Sequence, residues 1–351
     1  MNGSMAMERC VEWAETALGH RLGVNPVGPE ILSQLTLVIP SFGRPDYLMR
    51  QVVYWAHSRA RVIIVDGSPQ PISSRAEALV RRIPNIVYVH SGDTYVNRIR
   101  QACGMITTPY AMCLADDDLF LMTGLGRAID CLNLRRELTI CIGQAIAIDF
   151  DHRAGRASVS PYGASLRNYQ VVHPDASERI RVGIDNYRAA TCYAVVRSAA
   201  FAEIWRDIQA TSCPWTIEYE HAIGTYTVGS LAAVDDVYWL RSSECESIMP
   251  VRPDFATWWL AEEYRAECAT YLTRQAERLV RWSSLTASEA RGVVLEAVDC
   301  IVRGRHIGLS NADASAHDAP PGMTDDVAKE LGSALAFMTE FHAARRPSAE
   351  A

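Results

Sequence analysis

Apolar positions cluster in short runs within residues 35–40, 61–65, 86–90 and 110–115, and the segments between them carry a helical period. Runs of that length, rich in Val, Ile and Leu, predict strands buried on both faces of a sheet. Helices are predicted over residues 46–57, 75–82 and 95–106. Strands alternating with helices at this spacing imply βαβ units, a parallel sheet and right-handed crossovers. Ahead of them, residues 7–22 read as a short amphipathic helix followed by a Gly/Pro loop through Gly23, Pro26, Gly28 and Pro29. Downstream, a helix over 124–136 leads into a strand over 138–150. A polar stretch over 151–181 then reads as a hairpin or long loop, where acceptor or substrate contacts commonly sit. A strand over 190–196 and a helix over 199–208 follow. From 254 to 344 the pattern is helical throughout, with elements expected at 257–282, 287–303 and 325–342, and a mobile loop over 304–323. No internal repeat is present. The expected organisation is an N-terminal helix and loop (1–34), an α/β domain (35–253, its halves meeting near residue 120) and a helical C-terminal subdomain (254–351).

The chain has 351 residues, enough for two domains or for one large α/β domain with a helical appendage. No apolar run approaches the roughly 18 residues needed to cross a bilayer. The first residues carry neither a basic leader nor an apolar signal core, so a cytoplasmic protein is expected. Ten cysteines stand singly, with no CxxC pair and no Cys/His cluster at zinc spacing; reduced thiols are the plain reading. A net charge of −7 argues against a nucleic-acid partner held by general electrostatics. Lys329 is the sole lysine, so nearly every cation is an arginine. That excludes a Walker A lysine, a protein-kinase lysine and a pyridoxal-phosphate lysine. Any phosphate bound here must be met by arginine, backbone amides or a metal.

The strongest chemical signal is the run 110–115 ending in Asp116, Asp117 and Asp118. In open α/β sheets ligands bind beyond the carboxyl ends of the strands, which is where these acids fall. Were the extended conformation to persist, Asp116 and Asp118 would share a face and Asp117 would oppose them. Two carboxylates on one face repel, and a hard cation such as Mg²⁺ or Mn²⁺ would relieve that while bridging to phosphate. The competing reading is a solvated acidic turn before a helix. Asp66 ends its own strand beside Gly67 and either accepts hydrogen bonds from a nucleobase or ribose, or closes an Asx turn. Arg44 lies in the first strand–helix loop, and Arg98 and Arg100 lie on the helix before the acidic strand; each could meet phosphate or simply face solvent. Glu218 and Glu220 sit early in a helix after Pro214 and Trp215, where a general base could stand, although acids favour helix N-termini on dipole grounds alone. Asp235 and Asp236 read as a turn before a strand.

Three segments taken together, residues 37–45 (Leu-Val-Ile-Pro-Ser-Phe-Gly-Arg-Pro), 63–68 (Ile-Ile-Val-Asp-Gly-Ser) and 108–118 ending in the three aspartates, resemble the inverting, GT-A-fold glycosyltransferases of the family 2 type. The match covers about residues 35 to 120 and extends more weakly to about 241. The resemblance implies a Rossmann-type sheet flanked by helices and transfer of a sugar, with inversion, from a nucleotide-sugar donor, a UDP-sugar foremost, to an acceptor hydroxyl or amine. It places Pro40, Ser41, Phe42, Arg44 and Asp66 around the nucleoside, with Arg98 or Arg100 near base or phosphates. Asp116, Asp117 and Asp118 become the donor and metal site, Asp118 being the direct ligand of a divalent Mn²⁺ or Mg²⁺. The family's base is the Asp of a Glu-Asp pair followed three residues later by an apolar residue. Glu220, with Ile223 after it, matches best, and Glu218 is the second choice; the chain departs from the pattern in offering Glu-Tyr-Glu. Two other readings stay open: a sugar-nucleotide pyrophosphorylase, disfavoured by a glycine-poor, lysine-free first loop, and a non-catalytic binding protein with a degenerate site.

Overall fold

The structure is a computed structural model that describes residues 3–19, 28–163, 165–244, 253–304 and 323–345. It is organised by a ten-stranded sheet with helices on both sides. The strands are β1 (Leu35–Ser41), β2 (Arg61–Asp66), β3 (Ile86–His90), β4 (Tyr110–Cys113), β5 (Leu119–Phe120), β6 (Leu138–Asp151), β7 (Arg156–Pro161), β8 (Gln170–Val171), β9 (Val195–Arg197) and β10 (Ser230–Ser242). Their order is β3-β2-β1-β4-β9-β6-β10-β5, with β7 added on β6 and β8 on β10. β3, β2, β1 and β4 run parallel, as the βαβ spacing predicts. The short β9 is antiparallel to both β4 and β6 and joins the halves.

The helices are α1 (Gly3–Gly19), α2 (Pro45–Trp55), α3 (Ser74–Val80), α4 (Tyr95–Cys103), α5 (Met122–Leu134), α6 (Ala176–Asp185), α7 (Ser198–Arg206), α8 (Trp215–Val228), α9 (Phe255–Leu260), α10 (Arg265–Arg281), α11 (Ala287–Val302) and α12 (Asp325–Arg345). Local chemistry sets several starts. Pro45 opens α2, where its missing N–H costs nothing. Ser73, Thr94, Asp175 and Asp254 accept from backbone N–H groups one turn into α3, α4, α6 and α9, and Thr286 with Glu289 forms a capping box on α11.

Pro40 sits inside β1 because of where that strand's ladder ends. Val38 accepts from Leu114 N on the β4 side, and pairing with β4 stops there, so the N–H that Pro40 lacks falls on the side with no strand left to bond.

Two cores result. The larger lies on both faces of the sheet and takes in α1, α2, α5 and α12. The second is built from α6, α8, α9, α10 and α11 around Trp258, Tyr271 and Tyr226. The helical C-terminal region is therefore present but divides: α9 to α11 share a core with α6 and α8, while α12 returns to α1 and α2. The polar stretch 151–181 opens with the expected hairpin, β7 returning antiparallel on β6, and continues through β8 into the first part of α6. Residues 190–196 are strand only at their end, the turn before β9 being 3₁₀. Asp235 and Asp236 lie within β10, at a register shift against β6, and not in a turn ahead of a strand. Most of the expected loops 23–29 and 304–323 lies outside the described residues.

Candidate active site

Three segments of chain leave the carboxyl edge of the parallel strands together, after β1, after β2 and after β4. The last is the acidic one. Its backbone turns instead of staying extended, with Asp118 N bonding back to Ala115 O at 3.3 Å. α2 holds this turn from below. Gln51 Nε2 donates to the carbonyls of Asp116 (2.9 Å) and Asp118 (2.6 Å), and its own Oε1 accepts from Trp55 Nε1. Arg50, wholly buried, donates to the Asp117 carbonyl at 2.5 Å. The turn's backbone is thus fixed by side chains, and a fixed backbone is what a preorganised site needs.

The carboxylates are then aimed individually. Ser41 Oγ donates to Asp116 Oδ2 at 2.7 Å. Arg44 Nη1 reaches Asp117 Oδ2 at 2.6 Å and Asp116 Oδ1 at 3.4 Å, so Asp117 does not oppose its neighbour but shares a cation with it. Asp118 is gripped from β10: Trp239 Nε1 donates to Oδ2 and Ser242 N to Oδ1, each at 2.8 Å. Burial pushes Asp116 up to about 6 and Asp118 up to about 7, and the neighbouring Asp117 charge adds to both; hydrogen bonds from Ser41, Ser242 and Trp239 work the other way. Taking both carboxylates out of water disfavours their charged forms, which a nearby positive charge would favour.

Asp66 closes an Asx turn. Its Oδ1 accepts from Ser68 N (2.9 Å) and Ser68 Oγ (2.5 Å), and its Oδ2 from Tyr88 OH (2.9 Å). Arg98 is buried and spans the loops after β1 and β2, donating from Nη1 to Ser41 O and Val65 O. It passes so close to Gly67 that a Cβ there would fall 2.3 Å from Cζ, which explains the glycine. Arg100 turns away from the crevice: it donates to Asn97 Oδ1 and to the carbonyls of Trp205 and Ile208 past α7. Phe42, 46% exposed, stands at the mouth beside half-buried Pro40.

The two candidate bases part company on α8. Glu220 is fully buried between α8 and α10, paired with Arg274 and accepting from Gln209 N at 3.1 Å. That position is closed to an acceptor, and it departs from the order expected of the pair. Glu218 lies on the other side of the helix and accepts from Tyr187 OH at 2.9 Å. Burial raises its pKa, which the Tyr187 bond partly offsets. Tyr162, packed edge-on to Trp239, has a hydroxyl that feels the charge of both Asp118 and Glu218. The Tyr162 hydroxyl thus lies within electrostatic range of both the acidic turn and Glu218, and the Arg241 guanidinium sits 5.4 Å over the Tyr162 ring.

Sequence reading missed Gln51, Arg50, Tyr162, Tyr187, Trp239 and Ser242. One signal was available: Arg50-Gln51 interrupts the apolar pattern of α2, a helix buried nearly all round. The others act through tertiary contacts that no local pattern records.

Among the described residues no group of three or more His, Cys, Asp or Glu is arranged to hold a metal ion. Asp116 and Asp118 nevertheless suit one: each oxygen that already accepts a bond keeps a second lone pair, and the Arg44 guanidinium bridging Asp116 and Asp117 shows that the turn draws in a cation. One or two carboxylates with substrate phosphates completing the shell is an ordinary Mg²⁺ arrangement.

The fold these elements define is α/β with a GT-A-like sheet and a helical C-terminal region. It is similar to the crystal structure of residues 1–349 of TarS from S. aureus, with a TM-score of 0.52 and 10% sequence identity over 89% of this chain and 80% of that one. It is equally similar to the same TarS fragment in complex with UDP-GlcNAc, with a TM-score of 0.51 and 12% identity over 88% and 81% of the two chains. No protein-family model matches the sequence, and no curated protein does.

Proposed function

We propose that the protein is a glycosyltransferase that binds a nucleotide-sugar, a UDP-sugar foremost, across the loops after β1, β2 and β4 and transfers its sugar with inversion to an acceptor beside Glu218. The observation that carries this reading is a pair of buried carboxylates on the acidic turn, aimed by Ser41, Arg44, Trp239 and Ser242, with the Glu218 carboxylate on α8 and Asp118 both within electrostatic range of Tyr162. The resemblance of residues 35–120 and the likeness of the fold to a protein solved with UDP-GlcNAc support it.

In this reading Phe42 at the mouth stacks on the base, and Asp66, Ser68 and Arg98 hold the loops that receive the ribose. Asp116 and Asp118 would hold a divalent cation, Asp118 foremost, and when bound it would neutralise charge on the departing diphosphate. Glu218 accepts the proton of the acceptor hydroxyl as oxygen attacks the anomeric carbon from the face opposite the leaving group. Tyr187 keeps Oε1 occupied and so presents Oε2. Such proton transfer contributes about 10²–10⁴-fold. The test compares Glu218→Gln with Glu220→Gln on donor binding and turnover. Glu218→Gln is expected to bind donor normally and lose transfer; full turnover by that variant would remove Glu218 from the reaction.

A further inference from the structure

From Glu218 a line of aromatic rings runs outward to the surface. Tyr187, whose hydroxyl bonds Glu218, lies 6.1 Å from Tyr219 between ring centroids. Tyr219 meets Phe255 edge-on at 4.8 Å, and Phe255 stacks within 7° of parallel on Trp259 at 6.4 Å. Tyr187 and Phe255 are buried, whereas Tyr219 and Trp259 are half-buried and show part of their surface to solvent. Trp215, one turn before Glu218 and Tyr219 on the same side of α8, is 37% exposed. Tyr219 and Trp259 pack one face against the second core and keep part of their surface open to solvent.

The charges around this line are mostly negative. Asp254 caps α9, Glu262 and Glu263 form the turn after it, and Glu267 opens α10, receiving Trp258 Nε1 and Ser212; Arg265 stands against them paired to Glu262. An acidic rim repels a polyanion. Aromatic faces offer an apolar, electron-rich surface to the C–H face of a sugar ring, while nearby carboxylates accept from its hydroxyls.

We propose that Trp215, Tyr219 and Trp259 form an extended acceptor subsite for a neutral or amine-bearing glycan, several sugar rings long, whose terminal hydroxyl reaches Glu218. This rests on the transferase reading and adds the class of acceptor to it. An anionic acceptor, such as a sulfated or phosphate-rich chain, is disfavoured by the same rim.

The test titrates the full chain with chitotetraose, cellotetraose and maltotetraose, and with a heparin-derived tetrasaccharide, following tryptophan fluorescence and calorimetry. UDP-sugar binding is measured on the same samples. Expected is saturable binding of at least one neutral tetrasaccharide, weakened about 3- to 10-fold in each of Trp215→Ala and Trp259→Ala, with donor affinity unchanged. No binding by any neutral tetrasaccharide, equal binding by both variants, or preference for the heparin fragment would overturn the proposal. Because donor binding is read separately, a chain that binds UDP-sugar but no glycan sinks this inference and leaves the transferase reading standing, whereas failure to bind donor sinks the latter. Trp215 is exposed, so its variant keeps the test valid should Trp259→Ala fold poorly.

Discussion

At the scale of single residues, Glu218 and Glu220 make the sharpest contrast, because the two side chains differ by two positions and live in opposite environments. Glu220→Gln removes the charge that Arg274 faces in a closed interface, so it is expected to lower thermal stability, with the loss of a buried pair costing about 3–5 kcal/mol, and to leave kcat nearly intact in protein that remains folded. Glu218→Gln should do the reverse. The pH profile gives an independent check. A general base works ionised, and burial raises the Glu218 pKa, so activity should fall as pH drops through a value above the ordinary carboxylate range. Tyr187→Phe deletes a donor that favours the ionised form, so the acid limb should move to higher pH; an unmoved limb would separate Glu218 from the profile. The sequence offered both glutamates and ranked them by a family spacing. It could not show that α8 begins at Trp215, and it is the helix's register that turns 220 toward Arg274 of α10 and 218 toward Tyr187 on the other side.

Among elements, α2 and α12 hold the acidic turn as one assembly. Arg50 on α2 joins the Asp117 carbonyl to Glu244 through a pair with no exposure on either side chain, and its guanidinium lies over Tyr47 and Phe341. Glu244 also receives Ser242 Oγ and pairs with His342 of α12. Burial alone would raise Glu244; Arg50 and His342 overcome it and bring the carboxyl down to about 2, from an ordinary 4.5. A depressed carboxylate adds stability above the unfolded pKa and loses it as pH falls through the folded one, so its contribution should vanish between about pH 4.5 and 2. Glu244→Ala is expected to cost about 3–5 kcal/mol and to flatten that part of the acid-unfolding curve; a variant unfolding with the wild-type acid profile would contradict the assignment. The strands and helices around this assembly were legible from apolar pattern, since short apolar runs and longer segments with a helical repeat leave different signatures. The return of α12 was not, because a helix's partner is fixed by tertiary packing and not by its own sequence. Asp235-Asp236 misled for a related reason: two acids ordinarily end a strand, but here a bulge in β10 lets the strand continue past them.

For the molecule as a whole, the sheet sets what can meet. Parallel strands β1, β2 and β4 deliver their loops to one edge, and the antiparallel strand β9 brings β6 and β10 alongside, so that Trp239 and Ser242 reach Asp118 from the far half of the chain. No described helix is long and apolar enough to cross a membrane. The Gly67 close approach gives a whole-site test: Gly67→Ala forces Arg98 off the two loops it ties together, and donor affinity should fall at least about tenfold while the distant second core keeps its stability.

The central claim is that this edge binds a nucleotide-sugar through the acidic turn. Its most direct test is a thermal-shift series with UDP, GDP, CDP and dTDP sugars, each with and without Mn²⁺, on wild type and Asp118→Asn. A ligand at 100 times its Kd stabilises the native state by about 2.7 kcal/mol, a readily measured rise in Tm. The account predicts a metal-dependent rise with one nucleotide class, the uridine sugars foremost, that Asp118→Asn abolishes. No rise with any of them, or a rise that Asp118→Asn leaves intact, would contradict it.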